Sequence, residues 1–282
     1  MAQRTIAIYG DTGSGKTTLG GEHAKENFKR DRSYTVLHAA DMGGYESLMP
    51  LIRLGVIRVD SPAEGADPWT WINDAVSTPP ASDVGFEMFD SATSMSEALL
   101  SFIAKSDMKV GAQNTQKFTV SRGGSSKDTL TVGANNMNHY GVVQTFMLDM
   151  IWKSTWMSKR VGGPDVLWTF STDRGENSLD QPLVGPKLAG HALTAAIPKW
   201  FNYTFRVASI PVVDSPPRHV LYLQEQSENN GAVMGFGNAR YSLDATDPLP
   251  LSVEPASLVE ALRLIEEGAA QAEENLRAEL GL

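Results

Sequence analysis

The stretch TIAIYGDTGSGKTTLGGEHA, residues 5–24, decides the fold. Residues 6–9 are a short apolar run typical of a buried strand, and the residues after Lys16 favour a helix. Between them, GDTGSGKT at residues 10–17 matches the pattern G-x-x-x-x-G-K-[ST] in its required context of strand, glycine loop and helix. The sequence therefore predicts a P-loop, the loop that cradles nucleotide phosphates.

The residue types of this loop suit phosphate binding. Its glycines adopt backbone angles closed to other residues, so that backbone N–H groups curl around the β-phosphate ahead of a helix N-terminus. Lys16 would reach the β- and γ-phosphates, the Thr17 hydroxyl would bind Mg²⁺, and the Asp11 carboxylate must point away from the phosphates. The predicted nucleotide-binding residues are Gly10, Asp11, Thr12, Gly13, Ser14, Gly15, Lys16, Thr17 and Thr18.

An acid at the end of a later strand completes the predicted site. Residues 84–89 form an apolar run that ends at Asp90, and a helix follows. A carboxylate at the carboxyl end of a core strand is well placed to hold Mg²⁺, although an acid there can also cap the next helix. Glu87 alternates to the opposite face of the strand, which favours a structural role. We therefore assign the metal site to Thr17 and Asp90.

Strands alternate with helices along the rest of the chain. This order predicts an α/β fold with a mostly parallel twisted sheet and helices on both faces. The late segments NYTFRVASI and RHVLYLQEQ predict an antiparallel pair. A long helix is expected over about residues 138–159, and its Trp152 and Trp156 share a face that we assign to core packing. We expect a core over residues 1–250 and a C-terminal amphipathic helix over residues 251–282.

Composition excludes several classes of protein. The 282 residues contain no cysteine and five scattered histidines, so disulfides, thiolate metal sites and a structural zinc are not expected. No apolar run reaches the ~20 residues of a membrane helix, and the first residues lack an apolar signal core, so we expect a cytoplasmic protein without membrane contact. The net charge of −9 disfavours non-specific nucleic-acid binding but permits a local basic patch.

The chain resembles the RecA-like nucleotide-binding proteins of tailed bacteriophages, AAA-type P-loop ATPases close to the Sak-type single-strand annealing ATPases. The resemblance covers about residues 3–245 and is carried by the P-loop, AADMGG, MFDSATSM, TFSTDRGEN and VGPKLAGHALTAAIPKWFNYTFRV. It implies a RecA-like core that uses ATP and Mg²⁺. It also implies a homo-oligomer acting on single-stranded DNA in recombination or replication, together with other phage proteins and in the host cytoplasm.

Individual positions follow this resemblance, with two departures. Thr172 falls where the family has a polar γ-phosphate sensor, although a strand-end cap is an equal alternative. The family's water-activating glutamate is replaced by Met42, so Asp41 or, less favourably, Glu46 must substitute, or hydrolysis is weak. In GNAR the usual Lys-x-Arg keeps only Arg240, which would reach a neighbouring subunit's nucleotide. The predicted catalytic residues are Lys16, Asp90, Asp41, Thr172 and Arg240.

Two polar segments are candidates for nucleic-acid contact. QKFTVSRGGSSKDTLTVG predicts a β-hairpin, with strands KFTV and TLTV, inside a polar insertion over about residues 109–137. DRGENSLDQPLVGPKLAG follows a sheet strand at its carboxyl end, where α/β proteins bind ligands. The alternative for the hairpin is a solvated loop with scattered charge, and the alternative for Arg174 and Lys187 is contact with the nucleotide. The predicted DNA-contacting residues are Lys117, Arg122, Lys127, Arg174 and Lys187.

Three functions therefore stay open. The first is an ATPase that acts on single-stranded DNA. The second is a nucleotide-gated assembly or regulatory protein with little or no hydrolysis, which the methionine at position 42 favours. The third is a small-molecule kinase, which is less favoured because SRGGSSK is too poor in arginine for a phosphate-closing lid.

Overall fold

The structure is a computed structural model that describes residues 3–40, 43–109, 119–122, 126–129, 137–160, 162–176, 182–189, 196–227, 234–239, 245 and 247–281. Its helices are α1 (Lys16–Asp31), α2 (Met49–Arg53), α3 (Pro68–Ser77), α4 (Ala92–Lys109), α5 (Met137–Ser158) and α6 (Leu258–Leu280). The first strands are β1 (Thr5–Tyr9), β2 (Tyr34–Ala39), β3 (Ile57–Asp60), β4 (Val84–Asp90), β5 (Thr119–Arg122), β6 (Ser126–Thr129) and β7 (Asp165–Phe170). The later strands are β8 (Thr172–Glu176), β9 (Pro182–Pro186), β10 (Tyr203–Val212), β11 (Ser215–Tyr222), β12 (Gln224–Ser227), β13 (Met234–Ala239) and β14 (Ser252–Val253).

One sheet organises the described chain. Its strand order is β3-β2-β4-β7-β1-β10-β13-β9-β8, and the run from β3 to β10 is parallel throughout. The pair β10–β11 is antiparallel, as are β12–β13 and β8–β9. The predicted α/β class is confirmed, with a mostly parallel sheet, helices on both faces and late antiparallel strands.

The strand before the P-loop shows why both faces of the sheet are covered. Side chains alternate across a strand, so Ile6 and Ile8 enter one core cluster while Ala7 and Tyr9 enter another. Helices α1 and α6 supply the first cluster, and α3, α4 and α5 supply the second. A strand buried on both faces is fixed rigidly, which gives the loop after it a defined position.

Helix α6 belongs to the same core as the P-loop strand. Its buried residues Leu258, Ala261, Leu262 and Ile265 pack in the cluster that contains residues of β1 and α1. Its first turn is capped by Ser257, whose hydroxyl accepts a hydrogen bond from the Glu260 N–H over 3.1 Å. The amphipathic pattern of this helix therefore reflects packing against the P-loop domain.

The expectation that Trp152 and Trp156 are core residues is wrong. Their rings meet edge to face with centroids 6.3 Å apart, and the residues are 46% and 56% exposed. The opposite side of α5 carries the core contacts, through Val143, Met147 and Ile151. A spacing of four residues shows that two side chains share a helix face, but it does not show which face is buried.

The predicted hairpin in the polar insertion exists with shifted strands. Strand β5 pairs with β6 so that Thr119 lies opposite Thr129 and Arg122 lies opposite Ser126. The expected strands KFTV and TLTV would have left an eight-residue turn. The pairing is longer than expected, since the polar residues 121–122 and 126–128 are also paired between the two strands.

No helix in the described part of the chain combines the length and the apolarity that crossing a membrane requires.

Candidate nucleotide-binding site

The P-loop lies at the carboxyl edge of the parallel sheet, between β1 and the first turn of α1. The loop is anchored at its start by a hydrogen bond from the Gly10 N–H to the carbonyl oxygen of Phe170, the last residue of β7, over 3.2 Å. Gly13 and Gly15 have φ angles of 77° and 97°, a region that L residues with side chains seldom adopt. These two glycines turn the chain into the helix.

Gly10 is required for a different reason, which is close packing. A Cβ added at this position would lie 2.3 Å from the Val207 carbonyl oxygen and 2.6 Å from the Ser14 hydroxyl oxygen. The loop therefore begins in direct contact with β10. Ser14 is buried, and its hydroxyl oxygen lies against Gly10, so its contribution to a ligand would come from the main chain.

Thr17 and Asp90 meet as the sequence predicts. The Thr17 hydroxyl donates to Asp90 Oδ2 over 2.7 Å, and the Thr169 hydroxyl on β7 donates to Asp90 Oδ1. Strand β7 lies between β1 and β4, so it can deliver a buried hydroxyl to the end of β4. One carboxylate oxygen therefore faces the first turn of α1, and the other is held by β7.

Lys16 is the first residue of α1, and its ammonium folds back over the loop. Nζ donates to the carbonyl oxygens of Gly10 and Asp11 over 2.8 and 3.0 Å. Burial lowers the pKa of Lys16 below the usual lysine value, while the carboxylates of Asp90 and Asp11 act in the opposite direction. A positive charge thus sits partly desolvated among loop carbonyls, where an anionic ligand would interact with it strongly.

Arg174 extends from β8 to the P-loop. Its guanidinium forms an exposed ion pair with Asp11 at 3.4 Å. The structure therefore brings one of the predicted DNA-contacting residues to the predicted nucleotide loop.

Lys187 lies in a second group of contacts beside the site. Its ammonium pairs with Glu97 on α4 at 3.2 Å, and its main-chain oxygen accepts a hydrogen bond from the Thr93 hydroxyl over 2.7 Å. The same hydroxyl accepts from the Ser171 N–H over 2.9 Å. These bonds tie the paired strands β8 and β9 to the start of α4.

Thr172 is the first residue of β8. It directly follows Ser171 and pairs with Pro186 on β9.

Other predicted positions are only partly covered by the structure. Asp41, Met42, Lys117 and Arg240 lie outside the described residues. Arg122 and Lys127 lie on the paired strands β5 and β6, where Arg122 is opposite Ser126 and Lys127 is opposite Ser121. Glu46 begins a short 3-10 turn and is exposed.

Two residues of the site were missed by sequence reasoning. Thr169 is a buried polar residue in the apolar strand DVLWTF, a signal that could have been read beside the strand that ends at Asp90. His219 on β11 donates from Nδ1 to the Ser14 carbonyl oxygen over 3.0 Å. His219 and Ser14 are 205 residues apart in the chain, and no motif around His219 indicates that it contacts the P-loop.

The strand order and the glycine loop together define an α/β protein with a P-loop at the carboxyl edge of its parallel sheet. Comparison with protein-family models and with curated proteins finds no match. Among solved structures, the chain is similar to a KaiC-like protein, PH0186, from the hyperthermophilic archaeon Pyrococcus horikoshii OT3. The two share 10% identity and a TM-score of 0.43, over 83% of this chain and 89% of that one.

Proposed function

We propose that this protein binds ATP together with Mg²⁺ at the P-loop. The observation that carries the proposal is the contact between Thr17 on the P-loop helix and Asp90 at the end of β4. Hydroxyl and carboxylate oxygens are the hard ligands that Mg²⁺ prefers, so the donor set fits this ion. Thr17 and Asp90 would hold Mg²⁺, which when bound neutralises charge on the phosphate oxygens.

The loop residues would carry the rest of the binding. The backbone N–H groups of residues 13–18 would bind the β-phosphate at the N-terminus of α1, where the helix dipole favours an anion. Lys16 would exchange its hydrogen bonds to loop carbonyls for charge-assisted ones to phosphate oxygens. This exchange is favourable because phosphate carries full negative charge and the carbonyls do not.

We propose further that the bound ATP is hydrolysed by in-line attack of water on the γ-phosphate. Lys16 would stabilise the charge that develops on the transferred group. Asp41, Glu46 and Thr172 are the candidates for orienting water or sensing the phosphate. Arg240 would act on the nucleotide of a neighbouring subunit in a homo-oligomer.

Single-stranded DNA is the partner that we propose for this activity, in a phage recombination or replication role in the host cytoplasm. The support is the antiparallel pair of strands β5 and β6, which carries the basic residues Arg122 and Lys127. Arg174 fits the nucleotide better than DNA, because its guanidinium reaches Asp11 of the P-loop.

The second candidate is a nucleotide-gated assembly or regulatory protein. Methionine at position 42 favours it, since a thioether cannot activate water. A small-molecule kinase is a weaker third candidate.

Steady-state ATP hydrolysis with and without single-stranded DNA separates these functions. Turnover that rises with DNA, and that is lost in Asp90→Asn, supports the DNA-dependent ATPase. The double variant Arg122→Ala/Lys127→Ala is the matched control, and it should keep basal turnover but lose stimulation. Tight ATP binding without turnover supports the nucleotide-gated protein, and turnover only with a small acceptor supports the kinase. Absence of ATP binding contradicts all three.

A further inference from the structure

His219 contacts the P-loop from outside the predicted site. Its Nδ1 lies 3.0 Å from the Ser14 carbonyl oxygen, and because a carbonyl can only accept, Nδ1 carries the proton. A Cβ added at Gly15 would lie 3.9 Å from the same nitrogen. The imidazole therefore stands against both residues of the Ser14–Gly15 peptide.

The hairpin that presents His219 is positioned by the sheet. Strand β10 runs parallel to β1, with Arg206 opposite Tyr9, and continues beyond the end of β1. On the returning strand, His219 pairs with Ser209, three residues past that level. The β10–β11 hairpin thus rises beside the P-loop, and it contacts the loop at Gly10 through Val207 and at Ser14 through His219.

The backbone of His219 is held from two sides. It pairs with β10, and its carbonyl oxygen accepts a hydrogen bond from the Ala256 N–H over 2.8 Å, just before α6 begins. A donor on a fixed backbone can define the orientation of a mobile loop, whereas a donor on a flexible loop cannot.

The peptide plane explains what this bond does. In a trans peptide the C=O and the following N–H point in opposite directions within one plane. Holding the Ser14 oxygen against His219 therefore directs the Gly15 N–H to the other side, toward the inside of the loop. Donation to the carbonyl also polarises the peptide and strengthens its N–H as a donor.

We propose that His219 is a positioning residue for phosphate binding. It fixes the Ser14–Gly15 peptide so that the Gly15 N–H is presented to the nucleotide phosphates before the nucleotide arrives. This inference rests on the proposed function, since it assumes that a nucleotide occupies the P-loop. The histidine acts through the main chain and makes no contact of its own with the reacting atoms.

Its test is ATP affinity, measured by calorimetry, for the wild type and three variants. His219→Leu removes the donor and should weaken ATP binding roughly five- to tenfold, the effect of one net hydrogen bond. His219→Asn places an amide N–H at the same number of bonds from the backbone and should restore most of the affinity. Arg218→Ala, on the same strand but paired with Glu254 at the surface, is the matched control and should bind as the wild type does.

Thermal unfolding without nucleotide checks that the variants fold. A purely structural role would lower stability and affinity in both His219 variants, with no rescue by asparagine, and that result would overturn the inference. Equal ATP affinity for the wild type and His219→Leu would overturn it as well. Absence of ATP binding by the wild type would instead overturn the proposed function.

Discussion

Thr17 and Asp90, which are 73 residues apart in the chain, share a hydrogen bond of 2.7 Å between Oγ1 and Oδ2. The bond joins the first turn of α1 to the end of β4 across the intervening strand β7. It brings together the two oxygen ligands expected for Mg²⁺. Separate substitutions can therefore test the proposed Mg²⁺ ligands, the packing of the P-loop and the attachment of the helix behind it.

Replacing Asp90 tests the metal. Asp90→Asn should leave Mg²⁺-independent nucleotide binding nearly intact but lower ATP turnover on the order of 100-fold or more, because the carboxylate charge toward Mg²⁺ is lost. Hydrolysis against Mg²⁺ concentration measures this. Asp83→Asn, an exposed acid paired with Arg58 before the same strand, is the control. Unchanged Mg²⁺ dependence in Asp90→Asn would remove Asp90 from the metal site.

Replacing Gly10 tests the packing of the P-loop on β10. Gly10→Ala would place a methyl group 2.3 Å from the Val207 carbonyl oxygen, so the loop must move. We expect a loss of about 2 kcal/mol or more in the free energy of unfolding, together with weaker ATP binding. Gly141→Ala on α5 meets open space and should raise stability by about 0.5–1 kcal/mol. Denaturant unfolding measures both variants, and equal effects would mean that Gly10 is not closely packed.

The attachment of α6 depends on Glu22. Its carboxylate accepts hydrogen bonds from the Ser257 hydroxyl over 2.6 Å and from the Leu258 N–H over 2.9 Å. Glu22→Ala leaves both donors unpaired and should cost about 1–3 kcal/mol of stability. Glu273→Ala removes only an exposed pair with Arg277 and should change stability by less than about 0.5 kcal/mol. If thermal unfolding shows the same small loss in both, α6 is not held through Glu22.

A buried histidine should make stability depend on pH. Burial by itself would lower the pKa of His38, but the hydrogen bond to Asp60 and the negative charges of Asp60 and Glu87 outweigh it and raise that pKa above the usual value. Asp60 lies 2.8 Å from Nδ1 and Glu87 lies 3.7 Å from Nε2.

Since the pKa of folded His38 is raised, its stabilisation is complete below the unfolded value of about 6.5 and is lost as pH rises through the folded value. The free energy of unfolding should therefore fall across that interval in the wild type. His38→Gln should reduce this slope. An identical slope in the two proteins would show that His38 does not gain its charge on folding.

Local patterns were enough to predict that the glycine loop, Lys16, Thr17 and Asp90 lie together at one edge of the sheet. The P-loop is contiguous, and its glycines, Lys16 and Thr17 are specified by spacing alone. Asp90 could be placed because the end of an apolar strand and the start of a helix mark the carboxyl edge of a parallel sheet. The alternation of strands and helices likewise predicted the fold class.

The remaining features depend on contacts between distant segments. Thr169 reaches Asp90 only because β7 inserts between β1 and β4, and His219 reaches Ser14 only because β10 extends beyond β1. The exposure of Trp152 and Trp156 depends on which side of α5 the neighbouring helices cover. Spacing within one segment carries none of this information.

Calorimetric titration of ATP into the wild type and into Lys16→Ala, with Lys16→Arg as the charge-retaining control, tests the central claim most directly. The Lys16 ammonium donates to two loop carbonyls that water can also satisfy, so the alanine variant should stay folded. The account predicts tight binding by the wild type and a loss on the order of 100-fold in Lys16→Ala, from about 3 kcal/mol of charge-assisted hydrogen bonding. Wild-type affinity in Lys16→Ala would contradict the assignment of the nucleotide to this loop.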